Sequence, residues 1–370
     1  ADPHFIERGL FGEVADSARD IDFAMRWGFG TKQGPFELWQ QAGWKQVAQW
    51  IKEDIDAGKT LSNVQLPAWV FDGREGVHTS AGSWSASQNK YLPKSTLPVY
   101  SRQAFPETVG AAADPLKSGT EEFKNEEVRV WSADGEVLIA SITAKLHLIS
   151  PTVADGLQKA LEIADAKYQG LVIWSPDDVF SAGANLEALL PVFMKSGIKG
   201  IKPEMKKFQD FILRLRYAQV PTVAAVRGLA LGGGCELAVA CSRRVAHMES
   251  YIGLVEVGVG LVPGAGGLAY IARRAAELAT ASGGSADLFS FLKEPFTSAA
   301  TARGGTSAIE SRKLGWLIDG DVIVAHKDEL LHVASAQCKA MAASGYRPPA
   351  KALFPVAGRN AIATIKGQLA

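Results

Sequence analysis

Apolar and polar positions alternate in two different ways along this chain. Asp20 to Trp27 and Pro35 to Ile55 carry apolar residues three and four apart, the spacing of a helix face, with breaks at Gly28-Phe29-Gly30 and Gly34-Pro35. Pro35 suits a first helical turn, where the N–H groups have no intrahelical partner. The pattern predicts two short helices packed through Trp27, Phe36, Leu38, Trp39, Val47 and Trp50. Between Val70 and Gly119 periodicity gives way to Pro-, Ser- and Gly-containing sequence, which predicts a long irregular connection.

From Val128 the period changes. Val128 to Trp131 and Val137 to Ile142 read as strands, with Asp134-Gly135 between them where a tight turn requires positive φ. A helical stretch Thr152 to Ala166 follows, then the apolar run Leu171 to Trp174, a helix Lys202 to Arg216, a second apolar run Thr222 to Val226, and a glycine cluster opening another helix near Cys235. Short apolar runs alternating with helices imply βαβ crossovers and strands buried on both faces. The fold class is α/β, with a small all-helical piece in front.

Composition narrows the function. With 39 basic and 39 acidic side chains in 370 residues there is no overall field to hold a polyanion, so nucleic acid is a poor candidate. No apolar run reaches the roughly 18 residues of a membrane span. Cys235, Cys241 and Cys338 read as reduced, buried small hydrophobes, which points to a cytoplasmic setting. The six histidines are scattered without metal-ligand spacing, so no metal site is predicted. The N-terminus Ala1-Asp2-Pro3-His4 has neither an initiating Met nor a signal-peptide layout, and the chain stops inside a helical pattern, which together suggest a piece of a longer protein.

Candidate chemistry gathers in the second half. In Ala230-Leu-Gly-Gly-Gly-Cys-Glu-Leu237, three glycines separate a strand from a helix and let a ligand approach unpaired N–H groups at the positive end of the helix dipole. Phe180-Ser-Ala-Gly-Ala-Asn185 is a second small-residue loop after a buried strand, and two such loops can aim amides at one oxygen. Glu236 falls in the first turn of the glycine-led helix. Glu256 is the single charge in Tyr251 to Gly267, an apolar, glycine-rich stretch where a carboxylate is costly without a task. Ser181 lacks a nucleophile's strained context. Lys195, Lys199, Lys202, Lys206 and Lys207 form a basic run that is either a solvated helix face or a landing strip for phosphates.

Together, Phe180 to Asn185, Pro221 to Gly228, Ala230 to Leu237, Glu256 and Val262-Pro-Gly-Ala-Gly-Gly267 resemble the crotonase (enoyl-CoA hydratase/isomerase) superfamily over about 126–345. The resemblance implies a crotonase-like ββα core and two amides, Ala184 and Gly233, that bind a thioester oxygen. It also implies Glu236 and Glu256 as catalytic carboxylates, an acyl-CoA substrate, and a common trimeric habit that leaves this chain's oligomeric state open. Asn185 stands where Asp is usual, His147 where Asn often stands, and Leu254-Val255 replaces Gln-Pro.

Asp20 to Gly30 with Gly34 to Leu38 is similar to the helical C-terminal domain of 3-hydroxyacyl-CoA dehydrogenases. The expected layout is a dehydrogenase remnant at 1–65, a linker at 66–125, a hydratase domain at 126–345 and a helical segment at 346–370. No dinucleotide-binding GxGxxG unit is present, so NAD is expected only in a dehydrogenase part outside this chain, and the chain itself needs no cofactor. The expected activity is hydration of trans-2-enoyl-CoA in fatty-acid β-oxidation, with CoA phosphates near Lys202, Lys206 and Lys207. A Δ3,Δ2-enoyl-CoA isomerase and a catalytically silent scaffold are the alternatives.

Overall fold

The computed structural model describes residues 11–60, 63–110, 114–283, 287–351 and 353–369. Parts of the expected 1–65 piece and of the connection therefore lie outside the described residues. The chain forms two compact units, 1–101 with 105–113, and 102–104 with 114–370.

After a single helical turn at Phe11–Val14, the first unit has helix α1 (Ala18–Phe29), capped by Ser17, whose backbone N–H and hydroxyl both donate to the Asp20 carboxylate at 2.9 Å. The helix expected over Pro35 to Ile55 is two helices, α2 (Pro35–Gln41) and α3 (Trp44–Asp56), parted at Gly43, whose φ of 97° no helix accommodates. Its core is built on Phe36, Trp39, Trp44, Ala48 and Ile55 together with Val70, Val77 and Trp84. Trp27, Leu38 and Trp50, expected inside, are exposed. Breaking the helix after Gln41 re-phases the apolar stripe, and Trp44 instead stacks on Trp39 with ring centroids 4.2 Å apart.

The stretch 66–125 is not an irregular linker. It holds an antiparallel sheet of β1 (His78–Thr79), β2 (Gly82–Ser85) and β3 (Lys90–Leu92). It also holds β4 (Thr120–Lys124), which pairs with β5 (Val128–Ser132) in the second unit.

The second unit is an eight-stranded sheet. Strands β4, β5 and β6 (Val137–Ile142) are antiparallel. Then β6, β7 (Gly170–Trp174), β9 (Thr222–Leu231), β10 (Arg243–Gly253) and β11 (Val322–Val324) run parallel in that order. Every residue of β6 and β7 is buried, as strands covered on both faces require. Helix α4 (Pro151–Lys167) is started by Ser150, whose hydroxyl accepts from the Val153 amide, and its buried face packs into the same core.

Strand β9 pairs with β10 along one edge and changes partner along the other. Thr222 to Ala225 pair with β7, and Gly228 to Ala230 pair with the short strand β8 (Val179–Ser181). The change of partner happens at Gly228, with φ 58°, where a Cβ would lie 1.9 Å from the Asp178 carbonyl oxygen, so no other residue fits. The bend brings the end of β8 beside the end of β9. Beyond β8 a helical segment α5 (Leu186–Arg216) is broken at Gly197, and α6 (Gly233–Ala240) follows β9. The remaining helices are α7 (Gly267–Ala281), α8 (Leu288–Ala300), α9 (Ala308–Lys313), α10 (Leu330–Ala343) and α11 (Gly358–Leu369). Among the described residues no helix is long and apolar enough to cross a membrane.

Candidate functional site

The loops leaving β8 and β9 bring two amides together. In the loop after β8, the Ile149 amide donates to Gly183 O at 2.8 Å and Ile149 O accepts from Asn185 N at 2.9 Å. Ala184 lies between those two bonds in a parallel bridge, so its own N–H is turned away from Ile149. After β9, Gly233 is the first residue of α6 and its N–H has no acceptor within the helix. A Cβ placed on Gly233 would sit 3.5 Å from Ala184 N. Helix and loop come this close because Gly234 presents no side chain: a Cβ there would meet the Ser181 carbonyl oxygen at 2.4 Å. Two N–H donors, one of them at the positive end of a helix, thus lie close together.

Glu236, one turn after Gly233, falls on the same side of α6. It is 3 % exposed, and its Oε1 accepts from Ala265 N at 2.9 Å and Gly267 N at 2.8 Å. Burial pushes its pKa up, the two amides pull it down and the nearby Glu256 charge pushes it up again, leaving it at about 7.

Glu256 begins a 3-10 turn (Glu256–Val259) just past β10. A Cβ on Gly232 would be 3.5 Å from its carboxyl carbon, which places this side chain at the same helix start. Both its oxygens are buried and, among the described residues, without a hydrogen-bond partner. Burial raises its pKa above the ordinary carboxylate range. The arrangement therefore holds two carboxyls that exchange protons at higher pH than usual beside two donors suited to a developing oxyanion.

Lys202, Lys206 and Lys207 lie on α5 beyond its break at Gly197. Lys206 pairs with Asp210, and Lys207 pairs with Asp155 at 2.5 Å. Among the described residues Lys202 has no carboxylate partner. Lys206, Lys207, Phe211 and Arg214 line a cleft with Asp155 and Asp210. The same helix touches the loop that serves Glu236, since Gln209 Nε2 donates to Gly264 O at 2.6 Å. All three cysteines are buried and unbridged. Among the described residues no group of three or more His, Cys, Asp and Glu could hold a metal ion.

Sequence reasoning missed one feature beside the site. Leu146 and His147 have consecutive positive φ values, 53° and 51°, at a turn with neither Gly nor Asn to announce it.

The family described as enoyl-CoA hydratase/isomerase matches residues 144–282. The chain is 31 % identical, over 96 % of its length and 43 % of the relative's, to the Bacillus subtilis protein named "probable 3-hydroxyacyl-CoA dehydrogenase". It is 37 % identical over 35 % of its length to the peroxisomal bifunctional enzyme of Cavia porcellus, of which it covers 17 %. A crystal structure of an enoyl-CoA hydratase from Geobacillus kaustophilus is similar with a TM-score of 0.49 and 18 % identity, over 60 % of this chain and 76 % of that one. The chain spans less than half the length of the curated relatives just named.

Proposed function

Because residues 144–282 carry a domain of the enoyl-CoA hydratase/isomerase family, we propose that this site adds water to a trans-2-enoyl-CoA to give the 3-hydroxyacyl-CoA. The observation that carries the reading is the pairing of two buried carboxyls, Glu236 and Glu256, with two facing amides, Ala184 and Gly233. Water addition needs one group to take a proton from water and another to give one to the α-carbon.

Glu236 is the better base. Its amide donors favour the ionised form. Glu256, whose oxygens are buried without a hydrogen-bond partner among the described residues, is assigned as the acid toward carbon. The two amides hold the enolate-like oxygen as the proton is delivered. Lys202, Lys206 and Lys207 are assigned to the CoA phosphates. In a longer protein like the Bacillus subtilis relative, the product would pass to an NAD-dependent dehydrogenase part, which makes the whole a bifunctional β-oxidation enzyme. Three unbridged cysteines suit the reducing cytoplasm.

Steady-state hydration of crotonyl-CoA by wild type, Glu236→Gln and Glu256→Gln tests the reading. Each variant should lose on the order of 100-fold or more in kcat. A variant near the wild-type rate removes that residue from the mechanism, and faster turnover of a 3-enoyl-CoA makes the protein an isomerase.

A further inference from the structure

We infer that His147 is a positioning residue for the Ala184 amide, acting through its bond to Asp177; this rests on the hydratase reading above. Its turn is the clamp on the β8 loop. Leu146 O accepts from Ala182 N at 3.1 Å, and Ile149 bonds both Gly183 and Asn185, so three hydrogen bonds from these two residues fix the backbone on either side of Ala184. The direction of the Ala184 N–H follows the placement of that turn.

The turn needs an external hold. Two successive non-glycine residues in the left-handed region persist only where the surroundings over-determine them. Leu146 supplies no such hold, being half exposed. His147 does: its ring is buried, and Nε2 lies 2.6 Å from Asp177 Oδ1. A proton on Nε2 serves that bond and leaves the buried, unpartnered Nδ1 as a lone pair rather than an orphan N–H. The same Asp177 oxygen accepts from Val179 N at 3.2 Å, the first residue of β8. One carboxylate oxygen thus ties the turn to the strand that leads to Ala184, and Ile149 ties the far end of that loop back to the turn. The result is a closed ring of bonds: His147, Asp177, Val179, then Gly183 and Ile149.

The test compares Asp177→Ala, Asp177→Asn, His147→Asn and the His147→Asn/Asp177→Ala double variant. Asn tolerates positive φ but is too short to reach Asp177, so it removes the bond without forbidding the turn. The readouts are crotonyl-CoA hydration and the absorption of a bound cinnamoyl-type CoA thioester, whose band moves red as its carbonyl is polarised. Asp177→Ala and His147→Asn should each lower kcat about tenfold with KM within about twofold, and shrink the red shift. Asp177→Asn, which keeps an acceptor oxygen, should stay near wild type. The double variant should be no worse than either single one, because both break the same ring.

Wild-type rate and red shift in Asp177→Ala, a change on an exposed side chain that folding tolerates, would overturn the proposal alone. Independent, multiplying losses would do the same. A wild-type protein that neither hydrates crotonyl-CoA nor shifts the band would sink the hydratase reading, and this proposal with it.

Discussion

A Cβ added to Gly233 would come to rest 3.5 Å from the amide nitrogen of Ala184, with Ile149 Cδ1 at 3.7 Å and Gly183 C at 3.8 Å. These are ordinary contacts, and Gly233 is helical, so the fold has room for a methyl group there. That room lies beside the Ala184 amide, where the proposed thioester oxygen would sit.

Gly233→Ala should therefore separate folding from chemistry. Alanine is a better helix former than glycine by about 1 kcal/mol, so the melting temperature should hold or rise. The methyl group would exclude the thioester oxygen, and kcat/KM should fall by roughly 100-fold or more. Thermal denaturation alongside crotonyl-CoA kinetics checks both halves; retained activity would place the oxyanion elsewhere.

Activity should rise with pH through neutrality. Glu236 must be ionised to accept a proton from water, and with its pKa pushed up to about 7 it is mostly protonated in mild acid. The profile of kcat/KM should have an acidic limb near pH 7. An acidic limb left near pH 4.5 in the wild type would show that Glu236 is not the base.

Stability should run the opposite way. A carboxyl whose folded pKa lies above its unfolded value stabilises the fold at low pH, and that contribution is lost as pH rises through the folded value. For Glu236 the window is from 4.5 to about 7, corresponding to about 3 kcal/mol. Glu236→Gln should therefore gain stability relative to wild type between pH 4 and pH 8, as measured by denaturant unfolding at both. An unchanged difference would show that Glu236 ionises in the fold as easily as in water.

The lysines should not contribute equally. Lys206 and Lys207 are already paired with Asp210 and Asp155, whereas Lys202 has no carboxylate partner among the described residues. Lys202→Gln should raise the KM for crotonyl-CoA by up to about fivefold, more than Lys206→Gln does, and should reduce its salt dependence. Equal, negligible effects would leave the basic run a solvated helix face.

The sequence made the catalytic candidates legible because their signals are local. A glycine triplet before a helix and a lone carboxylate in an apolar stretch can both be read within about ten residues, and Ala184, Gly233, Glu236 and Glu256 are brought to one place. Features that depend on partners far along the chain were not legible. His147 acquires its meaning from Asp177, thirty residues on. The sheet over His78 to Leu92 has strands of two to four residues, too short for an alternating pattern, and its Trp84 is placed by contact with Trp69 and Tyr91 in the core it shares with Trp44 and Trp39. Trp27 was misplaced because it lies on a helix edge, stacked on Phe23 at 4.9 Å, where one step of helical phase decides between core and solvent.

The double duty of strand β9 divides the consequences of mutation along a single stretch of ten residues. Its first half is stitched into the central sheet, so changes from Thr222 to Val226 should be felt as loss of fold. Its second half keeps β10 on one edge but exchanges β7 for the short strand that leads to Ala184 on the other, so changes from Gly228 to Ala230 should be felt first as loss of aim, in a protein that still assembles. Selection acting on this domain can therefore retune its chemistry from one end of a strand while the other end keeps the architecture unaltered.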